Sequence, residues 1–108
     1  MTTVTVVRKD GRIREVTVKG HSGYAVYGKD IVCAAISATV QTALMGIIKY
    51  SSTDVEYTVN EEVGFIRFSV PESIGEEQIR VDAIAETMLL GVKDIESGYG
   101  TYVKVEVK

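Results

Sequence analysis

The chain has 108 residues, 45% hydrophobic and 25% charged. That is the make-up of one folded domain over residues 1–108, and it excludes a disordered tail, a collagen and a disulfide scaffold. Twelve Lys and Arg against fifteen Asp and Glu give a net charge of -3; direct nucleic-acid binding needs a basic face to neutralise phosphates, so none is expected.

Residues 2–8 and 13–19 alternate in polarity, with Val4 and Val6 on one face of the first run and Val16 and Val18 on one face of the second. Asp10-Gly11 between them is a strong two-residue turn signal, so the chain opens with a β-hairpin. This alternation is unlike a secretory signal, which pairs a basic segment with a long apolar run. Residues 1–19 carry Arg8, Lys9, Arg12, Arg14 and Lys19 against Asp10 and Glu15, whereas the rest of the chain is acidic. Such a hairpin is either a solvated face or a weak contact for a ribonucleoprotein or acidic partner.

Residues 20–29 hold Gly20, Gly23 and Gly28, which break any periodicity and predict a loop with freedom to move. Asp30 then stands where an N-cap is wanted, and a helix is predicted over about 31–50. Residues 31–48 contain no charged side chain and as a helix would measure about 27 Å, near the lower limit for a membrane span. Ser37, Thr39, Gln41 and Thr42 within it, with Asp30 and Lys49 close on either side, argue instead for a helix buried on most sides, between a sheet and a second helix or a partner subunit. No membrane contact is expected.

Residues 55–59 and 65–70 read as a second hairpin ended by Pro71. Ser73 and Glu76 have capping-box spacing. Val81, Ile84, Ala85, Met88, Val92 and Ile95 then recur at three- and four-residue steps, one face of an amphipathic helix stopped by Ser97-Gly98. Residues 101–107 alternate as a last strand. The order ββαββαβ predicts an α+β, two-layer domain: a mostly antiparallel sheet with two helices packed on one face.

The chemistry concentrates on His21 and Cys33, the only histidine and the only cysteine. With Asp30 as cap, Cys33 is the third helical residue, where free amides and the positive helix end favour a thiolate. A nearby imidazolium would favour it further, and first-turn amides including that of Cys33 could form an oxyanion hole. The plain alternatives are a packing cysteine and a surface histidine. Asp30 is either a simple cap or a group that orients His21. Ser37, one turn beyond Cys33, either makes a local polar contact or binds substrate. A metal site is not expected from one His and one Cys. A lone cysteine and a fold of this size also suit a regulatory domain with a redox-sensing thiol. The single Cys33 excludes an internal disulfide and fits a reducing compartment.

Gly20-His21, then Gly28, Asp30-Ile31-Val32-Cys33-Ala34 and Ser37 closely resemble the signature of the ribosomal-processing cysteine protease (Prp, YsxB-like) family. The resemblance extends over the chain's length and element order. It implies a cytoplasmic bacterial cysteine endopeptidase that removes an N-terminal extension from large-subunit ribosomal protein L twenty-seven. By the same resemblance Cys33 is the nucleophile and His21 the general base and acid. Asp30 and Ser37 bind substrate or support the dyad, and Gly20 and Gly28 serve as loop hinges. No cofactor is implied, and family members form homodimers. The competing reading is a non-enzymatic dimeric, ribosome-associated binding module in which Cys33 is structural.

Overall fold

Asp10 and Gly11 both adopt positive φ, 55° and 79°, the backbone of a two-residue turn whose twist matches the strands it joins. They connect β1 (Thr2–Lys9) to β2 (Arg12–Lys19). The computed structural model describes residues 1–20 and 27–108, with side chains described for 1–20 and 31–108. The remaining elements are α1 (Tyr27–Tyr50), β3 (Tyr57–Asn60), β4 (Phe65–Ser69), α2 (Gly75–Tyr99) and β5 (Val103–Val107).

The five strands form one sheet in the order β3-β4-β2-β1-β5. Only the β1–β5 pair is parallel; the other three are antiparallel. Registers align Val4 with Val18, Val6 with Val16, Val16 with Phe68 and Val18 with Ile66. These apolar positions share one face and are buried. The opposite face carries Thr5, Glu15, Thr17, Arg67 and Lys104, as period-two alternation requires. Val32, Ile36, Val40, Leu44 and Ile47 of α1 and Val81, Ala85, Met88, Leu89 and Val92 of α2 complete the core. The predicted α+β fold is therefore present, with its apolar sheet face covered by helices.

Both ends of α2 differ from the sequence expectation. Ile74, not Ser73, occupies the N-cap, and it makes no side-chain cap bond. Gly75 enters at φ 62°, a left-handed turn that glycine permits and that displaces the helix start from Ser73. Ser73 still supports the first turn: its hydroxyl donates to Glu77 at 2.6 Å and its N–H to Gln78 at 2.8 Å. The Ser73 hydroxyl holds the Glu77 carboxyl below its usual range. At the other end the helix runs through Ser97-Gly98 to Tyr99. Gly98 has no left-handed φ, and a glycine stops a helix mainly by adopting one.

Two ion pairs among the described residues fasten α2 to the sheet, Arg12 of β2 with Asp82 at 3.7 Å and the closer Arg8–Glu86 pair. Arg8 of β1 donates to both carboxylate oxygens of Glu86, at 2.6 and 2.8 Å. This forked hydrogen bond is the main cause that lowers the Glu86 pKa.

Helix α1 is less enclosed than expected. Ile31–Tyr50 is long and apolar enough to cross a membrane by length and composition, and one third of its most apolar window is buried. Its core stripe packs on the sheet and on α2, whereas Ile31 (60% exposed), Ala34, Ala38, Thr42 and Met45 (63% exposed) form an open stripe. Within the chain alone, α1 is thus a half-covered helix.

Candidate active site

Helix α1 begins at Tyr27, so Asp30 is its fourth residue and Cys33 its seventh. This corrects the expected cap. Asp30 does not precede the helix, and Gly28, expected in a loop, is the second helical residue. The sequence signal is ambiguous for a physical reason: an acidic residue near a helix start suits the cap and the first turn alike. The consequence is chemical. Only the first four amides of a helix lack intrahelical partners, so the Cys33 N–H is inside the ladder and does not supply the expected oxyanion-hole donor. The helix-dipole effect also fades beyond the first turn.

Among the described residues, the Thr2 hydroxyl lies against the sulfur. Cys33 Sγ is 3.3 Å from Thr2 Oγ1, and the same hydroxyl is 3.3 Å from the carbonyl oxygen of Gly20. Cys33 is half-buried. Its sulfur borders a groove of about 350 Å³. Val18 and Gly20 at the end of β2, Ala34, Ile36, Ser37 and Gln41 on α1, and Val59–Glu62 with Gly64–Ile66 of the β3–β4 hairpin line this groove. One wall is therefore apolar and the rim polar, the usual construction of a site that holds a chain segment and orients it.

Ser37 lies on the groove one turn beyond Cys33, and its hydroxyl accepts from Gln41 Nε2 at 2.6 Å. The two readings of Ser37 are therefore compatible: it makes a local contact and also faces the groove. His21 lies outside the described residues, as do the side chains of residues 27–30, that of Asp30 among them. Among the described residues no group of three His, Cys, Asp or Glu side chains could hold a metal ion.

Gly20 has φ 80°, and a Cβ there would meet the carbonyl oxygen of Met1 at 2.8 Å. Only glycine fits both the conformation and the space. Gly20→Ala is expected to cost about 1–2 kcal/mol from the left-handed backbone alone, read as a lower urea midpoint. An unchanged midpoint would mean that the Met1 end moves aside freely.

Sequence reasoning missed Thr2 and the hairpin wall. The signal for Thr2 was available, since alternation places it on the same inward face as Val4 and Val6. The hairpin wall carried no local signal, because sheet order brings β4 beside β2 and so carries Phe65 and Ile66 to the cysteine.

A thiol set at the edge of a peptide-sized groove in an α+β fold is the arrangement of a cysteine protease, and comparison with known proteins agrees. Residues 1–104 match the family model described as Cysteine protease Prp. The chain is 33% identical over 111 residues to the ribosomal processing cysteine protease Prp of Staphylococcus aureus (strain Mu50 / ATCC 700699), covering all of both chains. It is 28% identical over 97 residues to the Bacillus subtilis (strain 168) protein of the same name, covering 89% of this chain and 87% of that one. Among solved structures it is similar to the S. aureus Prp protease in complex with a substrate peptide, with a TM-score of 0.84 and 27% identity over the full length of both. A second S. aureus Prp structure, with a covalently linked product peptide, gives 0.83 and 28%, again over both full lengths. The chain belongs to the Prp family of ribosomal processing cysteine proteases.

Proposed function

We propose that the chain acts as a single cytoplasmic cysteine-protease domain that removes an N-terminal extension from large-subunit ribosomal protein L twenty-seven, using a Cys33–His21 dyad. The observation that carries this reading is the half-buried Cys33 sulfur at the edge of the groove. The S. aureus relative binds a substrate peptide and also holds a covalently linked product peptide.

An amide is a poor electrophile, so the thiol must be ionised before it attacks. His21 takes the Cys33 proton; the thiolate sulfur bonds to the scissile carbonyl carbon. The C–N bond then breaks, and the imidazolium returns a proton to the leaving amine. Water attacks the resulting thioester, with His21 accepting its proton, and releases the acid and the free thiol. Asp30 and Ser37 support the dyad or hold substrate. Gly20 acts as the hinge of the segment bearing His21, with Gly28 at its far end now counted as helix.

Strand β3 is one edge of the sheet, and Val59 and Asn60 at its end line the groove. An extended peptide laid beside it meets backbone groups that pair with no other strand among the described residues, and the groove for side-chain selection. The test is incubation of the protein with a peptide spanning the extension and mature start of the host ribosomal protein, and with its scrambled counterpart. One cut at the junction, and none in the scrambled peptide, is expected. No cut in either overturns the substrate assignment.

The open stripe of α1 supports a homodimer. Ile31, Ala34, Ala38 and Met45 recur at helical spacing on an exposed face. A second copy of the chain is the occupant, because family members are expected to pair through matching surfaces. Met45→Glu is expected to halve the mass seen by sedimentation. A wild-type monomer at micromolar concentration contradicts the dimer.

A further inference from the structure

Thr2 is 2% exposed and is the one buried polar side chain among the described residues. It lies on the inward face of β1 with Val4 and Val6, opposite Val103 of β5, and its N–H donates to Tyr102 O at 2.9 Å. A hydroxyl at a core position costs free energy unless it is paired, and a valine would fill the same space. The hydroxyl is paired twice, at 3.3 Å to Gly20 O and 3.3 Å to Cys33 Sγ. That distance is stretched for an O–H···O bond but close for the larger sulfur atom.

A threonine hydroxyl has one proton to give and two lone pairs to offer. With a neutral thiol both contacts are met together: Cys33 S–H donates to Thr2 Oγ1, and Thr2 O–H donates to Gly20 O. A thiolate has no proton, so the two acceptors compete for the single hydroxyl proton. A charge-assisted bond is the stronger of the two. The hydroxyl therefore turns from Gly20 O to the sulfur.

We propose that Thr2 is a positioning residue whose hydroxyl, held between Gly20 O and Cys33 Sγ, stabilises the Cys33 thiolate. The inference deepens the protease reading and rests on Cys33 as its nucleophile. The charged residues lining the same groove, Glu61 and Glu62 of the β3–β4 turn, are acidic and exposed. They oppose a second negative charge there, so a neutral donor at the sulfur has work that no groove cation does among the described residues.

The experiment compares wild type, Thr2→Val, Thr2→Ala and Thr2→Ser, with Thr2→Ala as a second hydroxyl-free variant should valine disturb folding. The rate of Cys33 alkylation by iodoacetamide is measured at pH 7 and pH 10. The hydroxyl-free variants are expected to react about tenfold more slowly than wild type at pH 7 and within about twofold of it at pH 10, where ionisation no longer limits the rate. Thr2→Ser is expected to restore the pH 7 rate. On peptide substrate the loss is expected in kcat with KM little changed. Wild-type reactivity of the hydroxyl-free variants at pH 7 overturns the proposal. Equal slowing at both pH values also overturns it, since that would mark altered access, as does failure of serine to rescue. The alkylation readout needs no proteolysis, so failure of the protease reading would appear separately, as cleavage retained by a chain without the Cys33 sulfur.

Discussion

Cys33→Ala is expected to cleave the precursor peptide at least about a thousandfold more slowly than wild type, at any pH from 6 to 9. In the proposed mechanism the sulfur is the atom that bonds to the carbonyl, and no other side chain in the described part of the groove offers an equivalent nucleophile: Ser37 lies a turn away and accepts from Gln41. Cys33 is half-buried and small, so removing its sulfur leaves little cavity and the fold should persist, with an unchanged circular dichroism spectrum. Binding of the peptide should also survive, because the groove walls on β2 and the β3–β4 hairpin are untouched. Undiminished cleavage by Cys33→Ala would transfer the chemistry to another residue.

The largest stability effect is expected at Phe68. This ring is fully buried on β4, opposite Val16 of β2 and Tyr57 of β3. Phe68→Ala removes the ring and leaves a cavity at the junction of three strands, at a cost of about 3–5 kcal/mol. Total stability for a domain of this size is about 5–15 kcal/mol, so the variant should be partly unfolded at 37 °C. The groove should fail with it, because Phe65 and Ile66 on the same strand form its wall. Urea unfolding checks this; a loss below about 1 kcal/mol would mean that neighbouring side chains close the space.

The same two sites mark how far the sequence could be read. The β1–β2 hairpin was legible because Asp-Gly dictates a particular turn and alternation dictates a face, and both agree locally. The element order was legible because two- and three-to-four-residue periodicities do not resemble each other. Helix ends were not. Asp30 and Ser73 are both acceptable caps, yet α1 starts before Asp30 and α2 starts after Ser73. Caps contribute only about 1 kcal/mol, which the surrounding backbone can override.

For the site, Cys33 and Ser37 were legible from their spacing on one helix, and the groove confirms that they share a surface. Its far wall was not legible, because Val59–Ile66 reaches Cys33 only through the pairing of β4 with β2. Thr2 falls between these cases. Its inward placement follows from alternation, but its contact with a sulfur 31 residues away follows only from packing.

The open stripe on α1 has a related lesson. A run of 18 uncharged residues gives no directional signal of which side faces the core. The structure divides it: Val32, Ile36 and Val40 go inward, whereas Ile31, Ala38 and Met45 stay outside.

The most direct measurement is rapid-quench intact-mass spectrometry of the wild-type protein mixed with the precursor peptide. A transient species heavier by the acyl portion of the peptide is expected, with the added mass mapped by digestion to Cys33 and lost again as the acid product appears. Turnover of the peptide with no acyl-protein at any quench time, and with the same rate after Cys33 has been alkylated, would contradict the account.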